Sequence, residues 1–251
     1  MKNASVSKNP KDNLSFITDF DRRIPLAYLE PFTTIDYPNH LAAVLFLQGC
    51  DWRCRYCFNS ELWPKTNYSV LSWNDVEHFL QSRHELLDAV VFSGGEPTLH
   101  PDLEEAIQHI KRHGYKVGLH TTGMYSEKLQ KVLPLCDWIG MDIKAPFDHY
   151  ERITRIPNSG QQPRQSANLI LESKKPYEFR TTYHPALLSE EDLIIMATML
   201  AQQGATEYVV QAFQAKGCCE AKLAEIPLPH PLLSHKTYDQ LKQLFPRFHI
   251  R

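Results

Sequence analysis

Six short apolar runs, each separated from the next by a stretch long enough for a helix, constrain the fold of this 251-residue chain more than any other feature. The runs occupy residues 42–47, 89–92, 115–119, 138–143, 178–183 and 207–213. Between them, residues 73–86, 102–113, 126–133, 164–173 and 190–203 carry apolar side chains at the spacing of an amphipathic helix. Antiparallel strands can be joined by two residues, but a parallel pair needs a crossover of a dozen or more and usually takes a helix. The pattern therefore predicts an α/β fold built on a parallel sheet. Beyond residue 213 the chain carries Pro227, Pro229, Pro231 and Pro246 and one more helix-like stretch, 236–244, so a complete eight-unit barrel does not fit. The expected division is a loosely ordered polar extension over residues 1–23, a main domain over 24–215 and a tail over 216–251.

Charge and composition narrow the function classes. The net charge of −2 gives no electrostatic reason to expect nucleic-acid binding. No apolar run approaches the roughly 20 residues that cross a bilayer, and the polar first eleven residues lack the apolar stretch of a signal peptide. A cytoplasmic protein is the expectation. Three of the six cysteines crowd between Cys50 and Cys57, which looks unlike a secreted disulfide framework and points to a metal or redox site.

That segment, Gln48-Gly49-Cys50-Asp51-Trp52-Arg53-Cys54-Arg55-Tyr56-Cys57-Phe58-Asn59, directly follows the first apolar run, with spacing C-x3-C-x2-C. A loop at the carboxyl end of a parallel strand is where α/β folds build ligand sites, and three thiolates this close can converge on one cluster. Ordinary four-iron clusters take four cysteines, so three ligands leave one iron open to a substrate. S-adenosylmethionine can fill such a position through its amino and carboxylate groups. The competing reading is a structural zinc loop completed by a fourth ligand such as Cys136 or a histidine.

With these residues in view, the chain resembles the radical S-adenosylmethionine superfamily, and within it the glycyl-radical-enzyme activases, most closely the activating proteins of anaerobic ribonucleoside-triphosphate reductases. The cysteine loop, residues 34–38 (Thr34-Ile35-Asp36-Tyr37-Pro38), 93–99 beginning Ser93-Gly94-Gly95-Glu96, 141–146 and 177–182 carry the resemblance. It implies a partial (β/α)6 barrel of the TIM type, a [4Fe-4S] cluster on Cys50, Cys54 and Cys57, and S-adenosyl-L-methionine as cofactor. It also implies a glycyl-radical enzyme, an anaerobic ribonucleotide reductase, as partner, with reduced flavodoxin or ferredoxin as electron donor. A small-molecule enzyme similar to 7-carboxy-7-deazaguanine synthase shares the same loop and glycine motif and is the alternative within radical chemistry.

Further cofactor-binding candidates follow from placement. Paired Gly94 and Gly95 after a strand, beside Ser93, let the backbone approach a ligand, and the Glu96 carboxylate can accept from an ammonium group. Asp142 and Lys144, two apart on one strand end, share a face on which the lysine can bind a carboxylate. Arg180, inside an apolar run, needs a polar or anionic partner if buried, and Gln211 belongs to another strand end facing the same site. His120 stands where the related activases often carry an aspartate, so the role of that carboxylate does not transfer; a neutral, hydrogen-bonded core histidine is expected. Cys136 reads as a buried small hydrophobe, while Cys218 and Cys219 receive no role. Trp52 and Tyr56 are expected to shield the cluster from water, and Arg53 and Arg55 to be available to an acidic electron carrier.

Overall fold

The computed structural model describes residues 18–66 and 68–251. Among these residues eight strands form one sheet in the order of the chain: β1 Leu26–Thr33, β2 Ala42–Leu47, β3 Ala89–Gly94, β4 Lys116–Thr121, β5 Trp138–Asp142, β6 Tyr177–Tyr183, β7 Glu207–Ala212 and β8 Arg247–Ile250. Every neighbouring pair from β2 to β8 is parallel, whereas β1 runs antiparallel to β2. The sheet does not close, because β1 and β8 are its two ends. The six expected strands are β2 to β7, and a partial barrel of the TIM type is the architecture found.

Among the described residues nine α-helices accompany the strands: α1 Asp19–Arg23, α2 Trp73–Ser82, α3 Leu103–Arg112, α4 Ser126–Val132, α5 Glu151–Thr154, α6 Gln161–Ser173, α7 Glu190–Gln202, α8 Ala221–Ala224 and α9 His235–Leu244. Ser72 with Asp75 and Ser189 with Asp192 form reciprocal capping boxes that start α2 and α7 by satisfying orphaned N–H groups. Helix α2 stops four residues short of the expected end: Arg83 caps it, and Glu85 adopts a left-handed φ of 69°.

Strand alternation divides the interior in two. Ala43, Leu45, Leu47, Val90 and Phe92 point outward and pack with Val76, Leu80, Ile107 and Ile110 of the helices. Ala42, Val44, Ala89 and Val91 point the other way and join Tyr37 and Trp138 in a small inner cluster, with Phe46 packed against it. This apolar plug lies below the strand ends, with the cysteine-lined cavity above it.

The ends of the chain depart from expectation. The extension over residues 1–23 lies outside the described residues through residue 17, but residues 18–23 are built into the fold rather than loosely ordered. Asp21 is fully buried and accepts from the Thr18 hydroxyl and the Trp73 N–H. The Trp73 indole donates to the Ile24 carbonyl, 3.0 Å away. In the tail, α9 and β8 extend the sheet instead of trailing from it, and Arg251 donates to the Ile35 carbonyl and pairs with the buried Glu178.

Candidate active site

The carboxyl ends of β2 to β7 surround a cavity of about 250 Å³. Its wall includes Cys50, Cys54 and Cys57 from the loop after β2, Ser93, Gly94 and Gly95 from β3 and its end, and Asp142 and Lys144 at the end of β5. Arg180 and Thr182 of β6 and Gln211 of β7 complete the opposite side. Strand ends far apart in sequence thus bring ten of the eleven expected site residues into one space. Glu96 is the exception.

The cysteine loop is held by backbone rather than by packing alone. Gly49 N–H donates to the Leu62 carbonyl at 2.7 Å and Cys50 N–H to Trp63 at 3.2 Å. Arg53 and Arg55 N–H groups donate to Thr154 and Ile153 at the end of α5, and Cys219 N–H donates to the Cys57 carbonyl at 2.9 Å. The two arginine side chains brace the same loop. Arg53 donates to the Cys50 and Trp52 carbonyls and lies over the Trp63 ring, while Arg55 makes a two-pronged pair with Glu220. Arg53 is nonetheless exposed and Arg55 partly so, and their bracing of the loop does not withdraw them from the surface.

The glycines owe their identity to this loop. An added Cβ at Gly95 would overlap the Gly49 carbonyl, and one at Gly94, whose φ is +108°, would overlap the Leu47 backbone. Gly95 and Glu96 N–H groups meanwhile donate to the Leu47 and Gly49 carbonyls at 2.9 and 2.8 Å. The paired glycines thus let the β3 end pack backbone to backbone against the start of the cysteine loop.

Glu96 is fully buried behind the cavity wall. Its Oε1 accepts from the Thr98 N–H and hydroxyl and from the Thr121 hydroxyl at 2.7 Å; its Oε2 accepts from the Thr122 N–H at 2.8 Å and the Thr122 hydroxyl at 2.6 Å. Five donors leave no place for the ammonium group expected of it. The carboxylate instead fixes the end of β4 against the end of β3, and it is Thr121 and Thr122 that reach the cavity.

The β5–β6 side is electrostatic. Asp142 Oδ1 accepts from Arg180 Nε at 3.0 Å and lies 3.0 Å from its Nη2 in the ion pair, and Oδ2 lies 3.3 Å from Lys144 Nζ. Burial alone would raise the Asp142 pKa, but the two cations outweigh it and hold the carboxyl below its ordinary value. Burial likewise works against the Lys144 charge, yet the neighbouring Tyr56, Cys54 and Asp142 lift its pKa well above the ordinary lysine value. One part-buried anion flanked by two buried cations leaves a net positive wall suited to a carboxylate.

His120 lies between the two sides. Its Nδ1 is 3.3 Å from Ser93 Oγ and its Nε2 is 2.9 Å from the Asp36 carbonyl. The tautomer protonated on Nε2 satisfies both, with the serine donating to Nδ1; Arg180 Nη1, at 3.2 Å from Nε2, is then a close neighbour and not a donor to it. Burial and the Arg180 charge push its pKa down to about 3, so the ring is neutral, as expected, although it lines the cavity.

The donor set fits an iron–sulfur cluster. All three loop cysteines are free thiols facing the cavity, and burial raises Cys50 to about 12 and Cys54 to about 11. Protonated thiols, here two buried and Cys57 part-buried, are chemically idle, and a cluster would displace their protons and supply positive charge in their place. Among the described residues, no fourth cysteine lines this cavity. Cys136 is buried with its thiol against the Val132 carbonyl, and Cys219 lies behind the loop, its thiol 3.3 Å from the Cys54 and Arg55 carbonyls. Tyr56 lines the cavity and Trp52 packs edge-on against Tyr150. Asp36, Phe46, Asn59, Trp63, Thr121, Thr122 and Thr182 also line it and were not singled out individually; the signal for the threonines was their place at strand ends.

A barrel with ligand-bearing strand ends and three converging thiols defines a class of cluster-dependent α/β enzymes. The Radical SAM superfamily pattern matches residues 44–200, and the chain belongs to that superfamily. Its enzymes use a [4Fe-4S] cluster and S-adenosylmethionine, and this chain is a radical SAM enzyme of the glycyl-radical-activating type. The chain is 30% identical over 207 residues to MJ1227 of Methanocaldococcus jannaschii, a protein named for glycyl-radical-enzyme activation, covering 78% of this chain and 83% of that one. It is 25% identical over 221 residues to the pyruvate formate-lyase-activating enzyme of Streptococcus mutans, covering 81% of each. In fold it is similar to Streptococcus suis SuiB bound to S-adenosylmethionine, with a TM-score of 0.60 and 13% identity over 81% of this chain and 45% of that one. Family membership displaces the structural zinc reading. No helix among the described residues is long and apolar enough to cross a membrane.

Proposed function

We propose that this enzyme reductively cleaves S-adenosylmethionine and uses the resulting 5′-deoxyadenosyl radical to take a hydrogen atom from the Cα of a glycine in a partner, an anaerobic ribonucleoside-triphosphate reductase. The balance is one electron and one hydrogen atom in, with methionine, 5′-deoxyadenosine and a glycyl radical out. Reduced flavodoxin or ferredoxin is the proposed electron source. The observation carrying the reading is the convergence of Cys50, Cys54, Cys57, Lys144 and Arg180 on one strand-end cavity.

When bound on the three cysteines, the cluster supplies the electron that breaks the sulfonium bond. The chain's own residues do the rest. Lys144 and Arg180, oriented by Asp142, receive the cofactor carboxylate, and Ser93, Gly94 and Gly95 bring the β3 end close to its methionine part. Gln211 is assigned to the same cofactor from the far side. Glu96 acts through Thr121 and Thr122, a positioning role in place of direct contact. Tyr56 and Trp63 exclude water from the thiols. The sheet is not closed between β1 and β8, and a peptide loop is proposed to enter from the open, strand-end face of this partial barrel.

The test is anaerobic incubation of the reduced, cluster-loaded enzyme and S-adenosylmethionine with the reductase of the same organism. A persistent glycyl-radical signal in electron paramagnetic resonance supports the reading. Release of 5′-deoxyadenosine with no radical on the reductase would reject this partner while leaving the cofactor chemistry in place.

A further inference from the structure

A second cluster of metal-binding side chains lies outside the cavity. Glu77 is on α2, His109 is on α3, and His113 is the residue that caps α3. The histidines are four apart and share a helix face. One ring nitrogen of each and one Glu77 oxygen lie within 4.8 Å of one another. His113 Nε2 is 3.9 Å from Glu77 Oε1, and the two rings are 5.1 Å apart between centroids. Bonds of about 2.0–2.1 Å to a tetrahedral zinc ion put ligand atoms roughly 3.3 Å from one another, a contraction that side-chain rotation supplies.

An independent observation points the same way. His109 Nε2 is buried with no hydrogen-bond partner, and Arg112 Nη2 sits 3.4 Å from Nδ1 on the other side of the ring. A buried nitrogen left without a partner is uncommon in native proteins and calls for an unseen ligand. Two imidazoles and one carboxylate suit a borderline divalent cation; calcium and magnesium prefer all-oxygen sites.

We infer that Glu77, His109 and His113 bind a zinc-class divalent cation that clips α2 to α3. Helix α3 leaves the carboxyl end of β3 and finishes just before β4 begins, so this site lies toward the opposite face of the barrel from the cysteine loop. None of its three residues lines the cavity. The ion is therefore structural and separate from the radical chemistry, and the inference stands whether or not the proposed partner is correct.

The experiment uses cluster-loaded enzyme cleared of loose metal by a chelator and then given zinc. One zinc per chain should survive desalting, with an X-ray absorption shell of nitrogen and oxygen near 2.0 Å and no sulfur near 2.3 Å. His113→Ala, at a partly exposed helix end, should weaken binding beyond the roughly 10–100-fold that loss of a supporting residue costs. The near-isosteric Glu77→Gln gives the same comparison if the first variant folds poorly. Zinc should raise the melting temperature of the parent and not of these variants, whereas Cys218→Ser with Cys219→Ser should keep the ion. Sulfur in the zinc shell, or unchanged affinity in folded His113→Ala and Glu77→Gln, would overturn the assignment.

Discussion

On the β2–β4 side of the cavity, position is set by backbone against backbone, with Gly94 and Gly95 pressed on Leu47 and Gly49 and the buried Glu96 gathering five donors. On the β5–β6 side it is set by three charged side chains, Asp142, Lys144 and Arg180, with little steric crowding of the backbone beyond Gly140. On the proposed reading the first side would hold the cluster-bearing loop still, and the second would present charge to a cofactor that must be able to leave. A single methyl group should therefore do on the first side what only loss of a charge does on the second.

The largest effect lies in the loop itself. Cys54→Ser should abolish S-adenosylmethionine cleavage and strip iron from the protein, read by iron and sulfide analysis with a 5′-deoxyadenosine assay. Gly95→Ala comes next. Its Cβ overlaps the Gly49 carbonyl, so the cysteine loop shifts, and a displacement of about 1 Å costs on the order of 100-fold in turnover. Normal turnover in a folded Gly95→Ala enzyme would erase the contrast between the two sides.

On the charged side, Lys144→Met and Arg180→Met should weaken S-adenosylmethionine binding by about 10–150-fold each, the equivalent of 1.5–3 kcal/mol for a lost charge-assisted bond. Iron content should stay intact, measured in parallel with calorimetric affinity. Glu96→Gln tests the buried carboxylate. An amide nitrogen facing the threonine donors should cost roughly 2–3 kcal/mol of stability, visible in denaturant melts, with a loss of turnover exceeding any loss of affinity.

The smallest effect is a pH dependence. His120 stays neutral in the folded chain down to about pH 3, whereas an unfolded histidine takes up its proton near pH 6.5. Between these values the unfolded state binds more protons, so stability falls as pH drops below about 6.5. His120→Gln should show a smaller loss of melting temperature between pH 7.5 and pH 5 than the parent; an equal loss would remove the histidine from the account.

How much of this was legible in the sequence divides along the same line. Strands β2, β3 and β5 are near-continuous apolar runs because both their faces are buried, β4, β6 and β7 mix polar residues among apolar ones, and the site residues at the strand ends follow from the strand-end rule. Strand β1 escaped notice because half of it faces solvent, Pro31 interrupts it, and Tyr28 and Phe32 are exposed. Strand β8 is four residues of mixed character after Pro246. Asp142 and Lys144 were readable because residues two apart on a strand end share a face, and Arg180 because a charge within an apolar run needs a partner. Glu96 was placed correctly beside the site but misread in role, since its donors Thr121 and Thr122 come from the next strand, 25 and 26 residues on. The glycine pair was read for a ligand, and it does line the cavity; its second use, the close approach of Gly94 to Leu47 and of Gly95 to Gly49, is visible only in the sheet register.

The most direct measurement is product release from the anaerobically reconstituted enzyme, reduced and given S-adenosylmethionine alone. The account predicts equal amounts of methionine and 5′-deoxyadenosine from protein carrying about four irons per chain, and none from Cys54→Ser. Protein fully loaded with its cluster and reduced, yet leaving S-adenosylmethionine intact, would contradict it.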